Sequence, residues 1–394
     1  MQSDVAESLE GKAVLCVATT PFQAISLLSI FSSSCSRKIS KCDILLCDNY
    51  DYLEPYEATF NQSGCFNDVL RAKSYYPHYK HLGLCFFLDS ITRRKKARER
   101  FYNHFPALRE SKYDVLLAPN ADRLALDAKL YCVNNGSTIF YDEGAGSHSG
   151  MVFKPLACFD PVAISINKTN RLSFRERVKN VVKRVAIGLL PSAAILNIQG
   201  IALFGDGNDS DKNSFNVPIY SITPLNLELI KNKEMLGLSQ KAVESYANAS
   251  VIFLTLPDDV PRESLEEECE VIQQLELATN SNVYIRKHPR RSDTGLERFS
   301  SLMLPDASWE ALIASGCIKE SHILIGTCSS AQFNPKLLFG IEPTVVFVHK
   351  IAKPVSMSSS EDAINQLIRK YTDKQKIYIA DTESDLVNFV LAHH

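Results

Sequence analysis

Short apolar runs alternate with stretches of helical spacing along the first third of the chain. The predicted strands there are residues 11–19, 42–47, 82–88, 113–118 and 137–141. The predicted helices are 23–32, 91–108 and 121–130. Strands that are apolar throughout and separated by helices are typical of a parallel sheet covered on both faces. We therefore predict an α/β domain in this part of the chain.

A second alternating block follows in the last third of the chain. Its predicted strands are 251–256, 282–287, 322–326 and 343–348, and its predicted helices are 262–278, 308–315, 332–339 and 383–394. The middle, 151–249, is less regular, with helical spacing at 225–250. The pattern predicts two Rossmann-like α/β domains, 1–249 and 250–394, that face a central cleft. The last helix is a candidate for packing back on the first domain.

Composition and charge narrow the classes of protein. The 394 residues are 45% apolar and 22% charged, as in soluble globular chains. The 43 basic and 45 acidic residues leave a net charge of −2, which disfavours nucleic acid as a partner. The 11 cysteines form no CxxC pair, which favours free thiols in a reducing cytosol. The N-terminus is acidic, and no apolar run reaches the ~20 residues that cross a bilayer. The sequence therefore predicts a cytoplasmic location.

Polar clusters follow several predicted strands, and in open parallel sheets ligands bind beyond the carboxyl ends of the strands. His288 is the most informative residue, because it stands among cations in RKHPRR (286–291). This arrangement predicts an anion site in which His288 neutralises a leaving phosphate and donates a proton to it, and the alternative is a solvated basic loop. The stretch GTCSS (326–330) offers hydroxyls and backbone N–H groups before a helix, which suits phosphate binding or ordinary capping.

Carboxylates also follow two of the predicted strands. Asp142 and Glu143 precede a glycine, and Asp258 follows a proline. Each is a candidate base that takes a proton from a sugar hydroxyl, and each also suits a turn or a helix N-cap. Asp209 and Asp211 have the spacing of a metal-binding pair, but they lie in a polar loop, and we predict no metal site. The nucleotide-binding patterns GxxxxGK[ST] and GxGxxG are absent.

Five short motifs occur in order along the chain: TTPFQ (19–23), FYDEG (140–144), LPD (256–258), YIRKHPRR (284–291) and GTCSSAQF (326–333). Together they resemble bacterial sialyltransferases of glycosyltransferase family 52, which include lipooligosaccharide α-2,3-sialyltransferases. The acidic motif and the HP pair are also shared with bacterial polysialyltransferases and other capsule transferases. The resemblance spans residues 14–348, although 151–249 contributes no motif to it.

The resemblance implies a GT-B fold and the transfer of sialic acid from CMP-sialic acid, with inversion, to a sugar hydroxyl such as that of galactose. It gives Asp258 the position of the general base and His288 that of the general acid or phosphate ligand. Asp142 and Glu143 match the acidic motif that supplies the base in related families, so the choice of base stays open. The predicted donor-binding residues are Gln23, Lys287, Pro289, Arg290, Gly326, Thr327, Ser329 and Ser330. No cofactor is expected, since side chains can stabilise a monophosphate leaving group.

Other donors and partners stay open at the level of the sequence. The alternatives are another CMP-activated keto sugar (Kdo, legionaminic or pseudaminic acid), a capsule polymer as the acceptor, and a non-catalytic sugar-nucleotide-binding protein on the same fold. The expected acceptor is a galactose-containing or lipid-linked glycan. Residues 174–190 predict a basic amphipathic helix, which suits peripheral contact with the inner membrane or packing on the protein. A homodimer is a further candidate interaction.

Overall fold

The computed structural model describes residues 5, 7–33, 39–48, 53–73, 75, 94–133, 135–143, 147, 196–204, 217–226, 236–258, 260–280, 282–292, 295–352 and 357–393. The chain divides into two compact units. The first consists of Met1–Glu143 and Gly150–Leu225, and the second of Gly144–Ser149 and Asn226–His394.

The first unit holds a seven-stranded sheet. Its strands are β1 (Ala13–Ala18), β2 (Lys41–Cys47), β3 (Asp68–Ala72), β4 (Val115–Ala118), β5 (Ser137–Tyr141), β6 (Ile198–Phe204) and β7 (Ile219–Ile222). All neighbours run parallel, in the order β3-β2-β1-β4-β5-β6-β7. The order reverses between β1 and β4, and such a reversal marks the place where open α/β sheets hold ligands.

Helices and turns connect these strands. They are α1 (Pro21–Ser33), α2 (Glu54–Ser63), α3 (Arg94–His104), α4 (Arg123–Ala128), a π-helix at Lys129–Val133, and 3-10 turns at Glu7–Leu9 and Pro106–Leu108. A proline starts α1, where its missing N–H leaves no helical bond unmade. Although α3 is rich in charge, its Phe101 and the Phe105 that follows the helix are buried in one core with Leu15 and Leu116 of the sheet. This burial fixes α3 on the sheet.

The second unit holds a five-stranded sheet. Its strands are β8 (Val251–Leu254), β9 (Val283–Arg286), β10 (Ile323–Gly326), β11 (Thr344–Phe347) and β12 (Ile377–Ile379). All neighbours run parallel, in the order β12-β11-β10-β8-β9, with the reversal between β8 and β10. The helices are α5 (Gln240–Asn248), α6 (Arg262–Ala278), α7 (Trp309–Ala314), α8 (Ser330–Phe339), α9 (Met357–Lys370) and α10 (Glu383–His393), with 3-10 turns at Glu297–Leu302 and Lys374–Lys376.

The two parallel-sheet units confirm the predicted fold class, since two Rossmann-like domains in one chain are the composition of the GT-B fold. The predicted strands that the structure confirms are β1, β2, β4, β5 and β8 to β11. The sequence did not predict β3, β6, β7 or β12. Three predicted features lie outside the described residues: the strand at 82–88, the basic helix at 174–190 and the loop of Asp209 and Asp211.

Two helices of the second unit concern the predicted domain boundaries. The last helix, α10, belongs to the second unit, where Leu386 and Val390 are buried in one core with Ile272 and Leu275 of α6, and its packing on the first domain stays a prediction. Helix α5 also belongs to the second unit, although the sequence prediction placed the domain boundary after it. In α5, the carbonyl oxygen of Tyr246 lies at hydrogen-bonding distance, 3.2 Å, from His322 Nε2.

Candidate active site

Three loops meet at the carboxyl edge of the second sheet. They follow β8, β9 and β10, and β8 pairs with both of the others. The loops carry Asp258, the segment 287–292, and the segment 327–329. The structure therefore brings together the predicted residues Asp258, Lys287, His288, Pro289, Arg290, Gly326, Thr327, Ser329 and Ser330 along one sheet edge. Gln23, Asp142 and Glu143 lie in the first unit.

The backbone of the His288 loop is held by the neighbouring strand. The Thr255 N–H donates to the Arg286 carbonyl oxygen at 3.2 Å. The Thr255 hydroxyl then accepts the His288 N–H at 2.9 Å. The chain then makes a turn, in which the Arg291 N–H donates to the His288 carbonyl oxygen at 2.8 Å. Thr255 thus fixes where His288 leaves the sheet, and the sequence analysis did not single it out.

The imidazole of His288 is half-buried and has a defined hydrogen-bonding pattern. Its Nδ1 accepts the Arg290 backbone N–H at 3.0 Å. A nitrogen that accepts a hydrogen bond carries no proton, so the ring carries its proton on Nε2. In this arrangement His288 offers an Nε2–H donor.

Asp258 is bound into the same loop. Its N–H donates to the Arg290 carbonyl at 3.2 Å, and its Oδ2 accepts the Ser292 N–H at 2.8 Å. The Ser292 N–H is the main cause of a lowered pKa of Asp258, and the positive charge of Arg291 adds to it. The side chain is 41% exposed. An ionised carboxylate held in this way joins two loops and has little tendency to take up a proton.

Arg291 in this loop and Glu268 next to it are both buried. The Arg291 guanidinium Nη2 lies 3.7 Å from Glu268 Oε2, and its Nε lies 3.6 Å from Asp258 Oδ1. These distances are too long for hydrogen bonds, so the attraction is electrostatic. Glu268 also accepts the Leu256 N–H at 2.6 Å, and burial raises its pKa to about 8. The sequence analysis missed Glu268, although its position on the buried face of α6 was visible in the helical spacing.

The loop after β10 is tightly built around a glutamine. Gln332 Oε1 accepts the N–H groups of Cys328 at 3.0 Å and Ser329 at 3.1 Å. A Cβ on Gly326 would lie only 3.1 Å from that Oε1, so a larger residue there would force the Gln332 amide to shift by a few tenths of an ångström. Ser329 caps α8, so Ser330 takes the first helical position, where it is exposed. The backbone N–H at this position has no acceptor within the helix and can donate to an anion. Because Gln332 binds the N–H groups of Cys328 and Ser329, fewer groups of the segment 326–330 are available to a phosphate than the sequence predicted.

Gln23 has the corresponding position in the first unit. Its Oε1 accepts the Thr19 N–H at 2.7 Å and the Thr19 hydroxyl at 3.0 Å, directly after β1. Its side chain is buried. The geometry assigns Gln23 the task of shaping the loop between β1 and α1, while its predicted contact with the donor stays a prediction.

The two carboxylates of the acidic motif have different surroundings. Asp142 is fully buried, and its Oδ2 accepts the Phe204 N–H at 3.1 Å, which ties the end of β5 to the end of β6. Glu143 is half-buried, and its Oε2 accepts the side-chain N–H of Asn120 at 2.6 Å. Burial, with the charges of Asp122 and Asp142, raises the pKa of Glu143 to about 7. Such a carboxyl group can exchange a proton at neutral pH.

Among the described residues, no group of three or more His, Cys, Asp or Glu side chains is placed to hold a metal ion. In the part of the chain that the structure describes, no helix has the length and apolar character that a bilayer span requires.

Comparison with known proteins gives distant structural similarities. No family model and no curated protein matches the chain. Among solved structures, it is similar to Phytolacca americana UGT2 complexed with UDP-2fluoro-glucose and pterostilbene, at 10% identity and a TM-score of 0.49, over 96% of this chain and 89% of that chain. It is also similar to E. coli heptosyltransferase WaaC with ADP-2-deoxy-2-fluoro heptose, at 12% identity and a TM-score of 0.41, over 97% and 100% of the two chains.

A third similarity is to the S. aureus MnaA-UDP co-structure, at 11% identity and a TM-score of 0.46, over 97% of this chain and 96% of that chain. At these identities and TM-scores, the fold assignment rests on the strand order of the two sheets. The chemistry must be argued from the side chains at the sheet edges.

Proposed function

We propose that this chain is an inverting glycosyltransferase that moves sialic acid from CMP-sialic acid to a sugar hydroxyl, with a terminal galactose of a bacterial surface glycan as the acceptor. The loop of His288 carries the proposal. A half-buried imidazole presents Nε2–H, with Lys287 and Arg290 on either side in the chain. The exposed Ser330, at the first position of α8, lies along the same sheet edge. This set of donors and cations suits a phosphate group.

His288 acts on the leaving group in this proposal. As transfer proceeds, the bond between the anomeric carbon and the phosphate oxygen breaks, and negative charge collects on the CMP phosphate. The Nε2–H of His288 donates to that phosphate, and Lys287 and Arg290 add positive charge. A donor held in place beforehand stabilises the developing charge without reorganisation, which is the usual source of a large rate gain.

Glu143 acts on the acceptor. Its carboxylate takes the proton of the sugar hydroxyl while that oxygen forms a bond to the anomeric carbon. A pKa of about 7 leaves a large fraction of Glu143 ionised at neutral pH and still able to hold the proton that it receives. Asp258, with its lowered pKa and its bond to Ser292, fits the task of holding the His288 loop. We therefore prefer Glu143 as the base and keep Asp258 as the alternative.

The test is a transfer assay with CMP-Neu5Ac and lactose, followed by CMP release and by NMR of the product. We expect CMP release that depends on lactose and a product of inverted anomeric configuration. Parallel reactions contain CMP-Kdo, CMP-legionaminic acid, CMP-pseudaminic acid or UDP-glucose. Transfer from another CMP sugar keeps the reaction class and changes the donor. Transfer from UDP-glucose alone contradicts the proposal, and CMP binding without turnover on any donor supports the non-catalytic alternative.

A further inference from the structure

Asn120 lies two residues after the end of β4, beside the point where the strand order of the first sheet reverses. Its Oδ1 accepts the Asp122 N–H at 3.0 Å, and its Nδ2 donates to Glu143 Oε2 at 2.6 Å. The two ends of an amide differ in hydrogen bonding, so the bond to the Asp122 N–H decides that the donating end faces Glu143. The backbone turn therefore aims a hydrogen-bond donor at the carboxylate.

Negative groups face Glu143 from two elements. Asp122 caps α4 by accepting the Ala125 N–H at 2.9 Å, and Asp142 stands next to Glu143 at the end of β5. The Tyr141 hydroxyl, also close enough to interact, is neutral, because burial raises its pKa well above the usual range. Burial and the two aspartates favour the protonated form of Glu143, whereas the hydrogen bond from Asn120 favours the ionised form.

We propose that Asn120 is a positioning residue for Glu143: its amide fixes the carboxylate in one orientation and keeps it ionised, ready to take the acceptor proton. This inference rests on the proposed function, in which Glu143 is the base. A charge-assisted hydrogen bond of this length is among the stronger contacts of a side chain. Without it, burial and the two aspartates would favour the protonated form of Glu143 more strongly.

Two isosteric exchanges test the inference with opposite expected signs. Asn120→Asp replaces the donor by a second carboxylate and should move the ionisation of Glu143 to higher pH by about one unit or more. Asp122→Asn removes a negative charge while keeping a good N-cap, and should move it to lower pH. General damage to the fold would shift both variants in the same direction. Each variant is first checked for an unchanged melting temperature.

The readouts are the acidic limb of kcat/KM against pH and the carboxyl titration of Glu143, followed by ¹³C NMR of glutamate-labelled protein. Glu143→Gln identifies the Glu143 signal. In the wild type, we expect the carboxyl titration of Glu143 to have its midpoint near pH 7, since the pKa of Glu143 is about 7. For a midpoint one unit higher, turnover of Asn120→Asp at pH 7 should fall about fivefold.

Failure of this inference and failure of the proposed function give different results. If Glu143→Gln is inactive while both exchanges leave the NMR midpoint and the pH limb unchanged, Asn120 has no positioning role and the proposed base stands. If Glu143→Gln transfers normally, the base assignment is wrong. The NMR titration then still decides whether Asn120 controls Glu143, and an unchanged midpoint overturns that claim as well.

Discussion

Burial sets the proton affinity of Glu143, whereas hydrogen bonds set that of Asp258. Desolvation, with Asp122 and Asp142 nearby, raises the pKa of Glu143 to about 7. The Ser292 N–H is the main cause that lowers the pKa of Asp258. The two carboxylates are thus adapted to different tasks, because only a group that titrates near the working pH both takes and releases a proton readily.

Replacing His288 by alanine should lower kcat by about 10²- to 10³-fold, the usual cost of removing one hydrogen-bond donor from a developing negative charge. The physical reason is the loss of the Nε2–H donor at the leaving phosphate. The measurement is kcat for CMP-Neu5Ac with lactose as the acceptor. His393→Ala, which removes an exposed histidine on α10, is the matched control and should keep wild-type turnover. Wild-type turnover of His288→Ala on every donor tested would remove His288 from the mechanism.

At the scale of elements, α6 supports the His288 loop through a buried carboxylate. Glu268 is fully buried, accepts the Leu256 N–H and lies beside Arg291. Burial raises its pKa to about 8, above the value of an unfolded chain. The folded state therefore binds a proton that the unfolded state has already released. This contribution to stability is present at low pH and is lost as the pH rises through about 8.

Glu268→Gln should remove part of the fall in the free energy of unfolding between about pH 4 and pH 8. A glutamine still accepts the Leu256 N–H through its carbonyl oxygen but has no charge to desolvate. Denaturant unfolding at a series of pH values measures the effect. Glu270→Gln, at an exposed position of the same helix, is the control and should keep the wild-type slope. Identical pH dependence of wild type and Glu268→Gln would refute the explanation.

Strands with long apolar runs could be predicted, and two of the four that were missed, β12 and β6, have identifiable reasons. In β12, a strand of three residues, every residue is half-exposed, so no apolar run marks it. β6 contains Gly200, which interrupts the strand pattern. A Cβ at Gly200 would lie 2.2 Å from a ring carbon of Tyr220 on β7. The need for a glycine at position 200 could not be predicted from the sequence, because it depends on the pairing of β6 with β7.

The positions of the site residues could be predicted because the carboxyl ends of parallel strands share one edge. Their hydrogen-bond partners and proton affinities could not. Asn120, the partner of Glu143, lies 23 residues earlier in the chain. Thr255, which holds the His288 backbone, lies 33 residues before it. Such contacts depend on strand pairing, and no local pattern in the sequence indicates them.

At the scale of the whole molecule, a glutamine holds the loop at the point of strand-order reversal in both units. A glutamine in the first turn of the following helix binds backbone N–H groups of the preceding loop, Gln23 after β1 and Gln332 after β10. Each loop is thereby fixed at the edge where ligands bind in this class of sheet.

Activity should persist in excess EDTA. A CMP leaving group carries one phosphate, and the proposed donors and cations at the His288 loop can stabilise that charge. The measurement is CMP release from CMP-Neu5Ac with and without EDTA. Loss of activity in EDTA with recovery in Mg²⁺ or Mn²⁺ would contradict the prediction. It would point to a nucleotide-diphosphate donor and to Asp209 and Asp211, which lie outside the described residues.

Whether Glu143 takes the acceptor proton is tested most directly by the transfer rates of Glu143→Gln and Asp258→Asn, measured in one assay with the wild type. We predict that Glu143→Gln loses about 10²- to 10⁴-fold in kcat. Its CMP affinity, measured by calorimetry, should stay at the wild-type value. Asp258→Asn should keep most of kcat and raise KM for the donor, because the His288 loop is held less firmly. Normal transfer by Glu143→Gln together with loss of transfer by Asp258→Asn would contradict the assignment and make Asp258 the base.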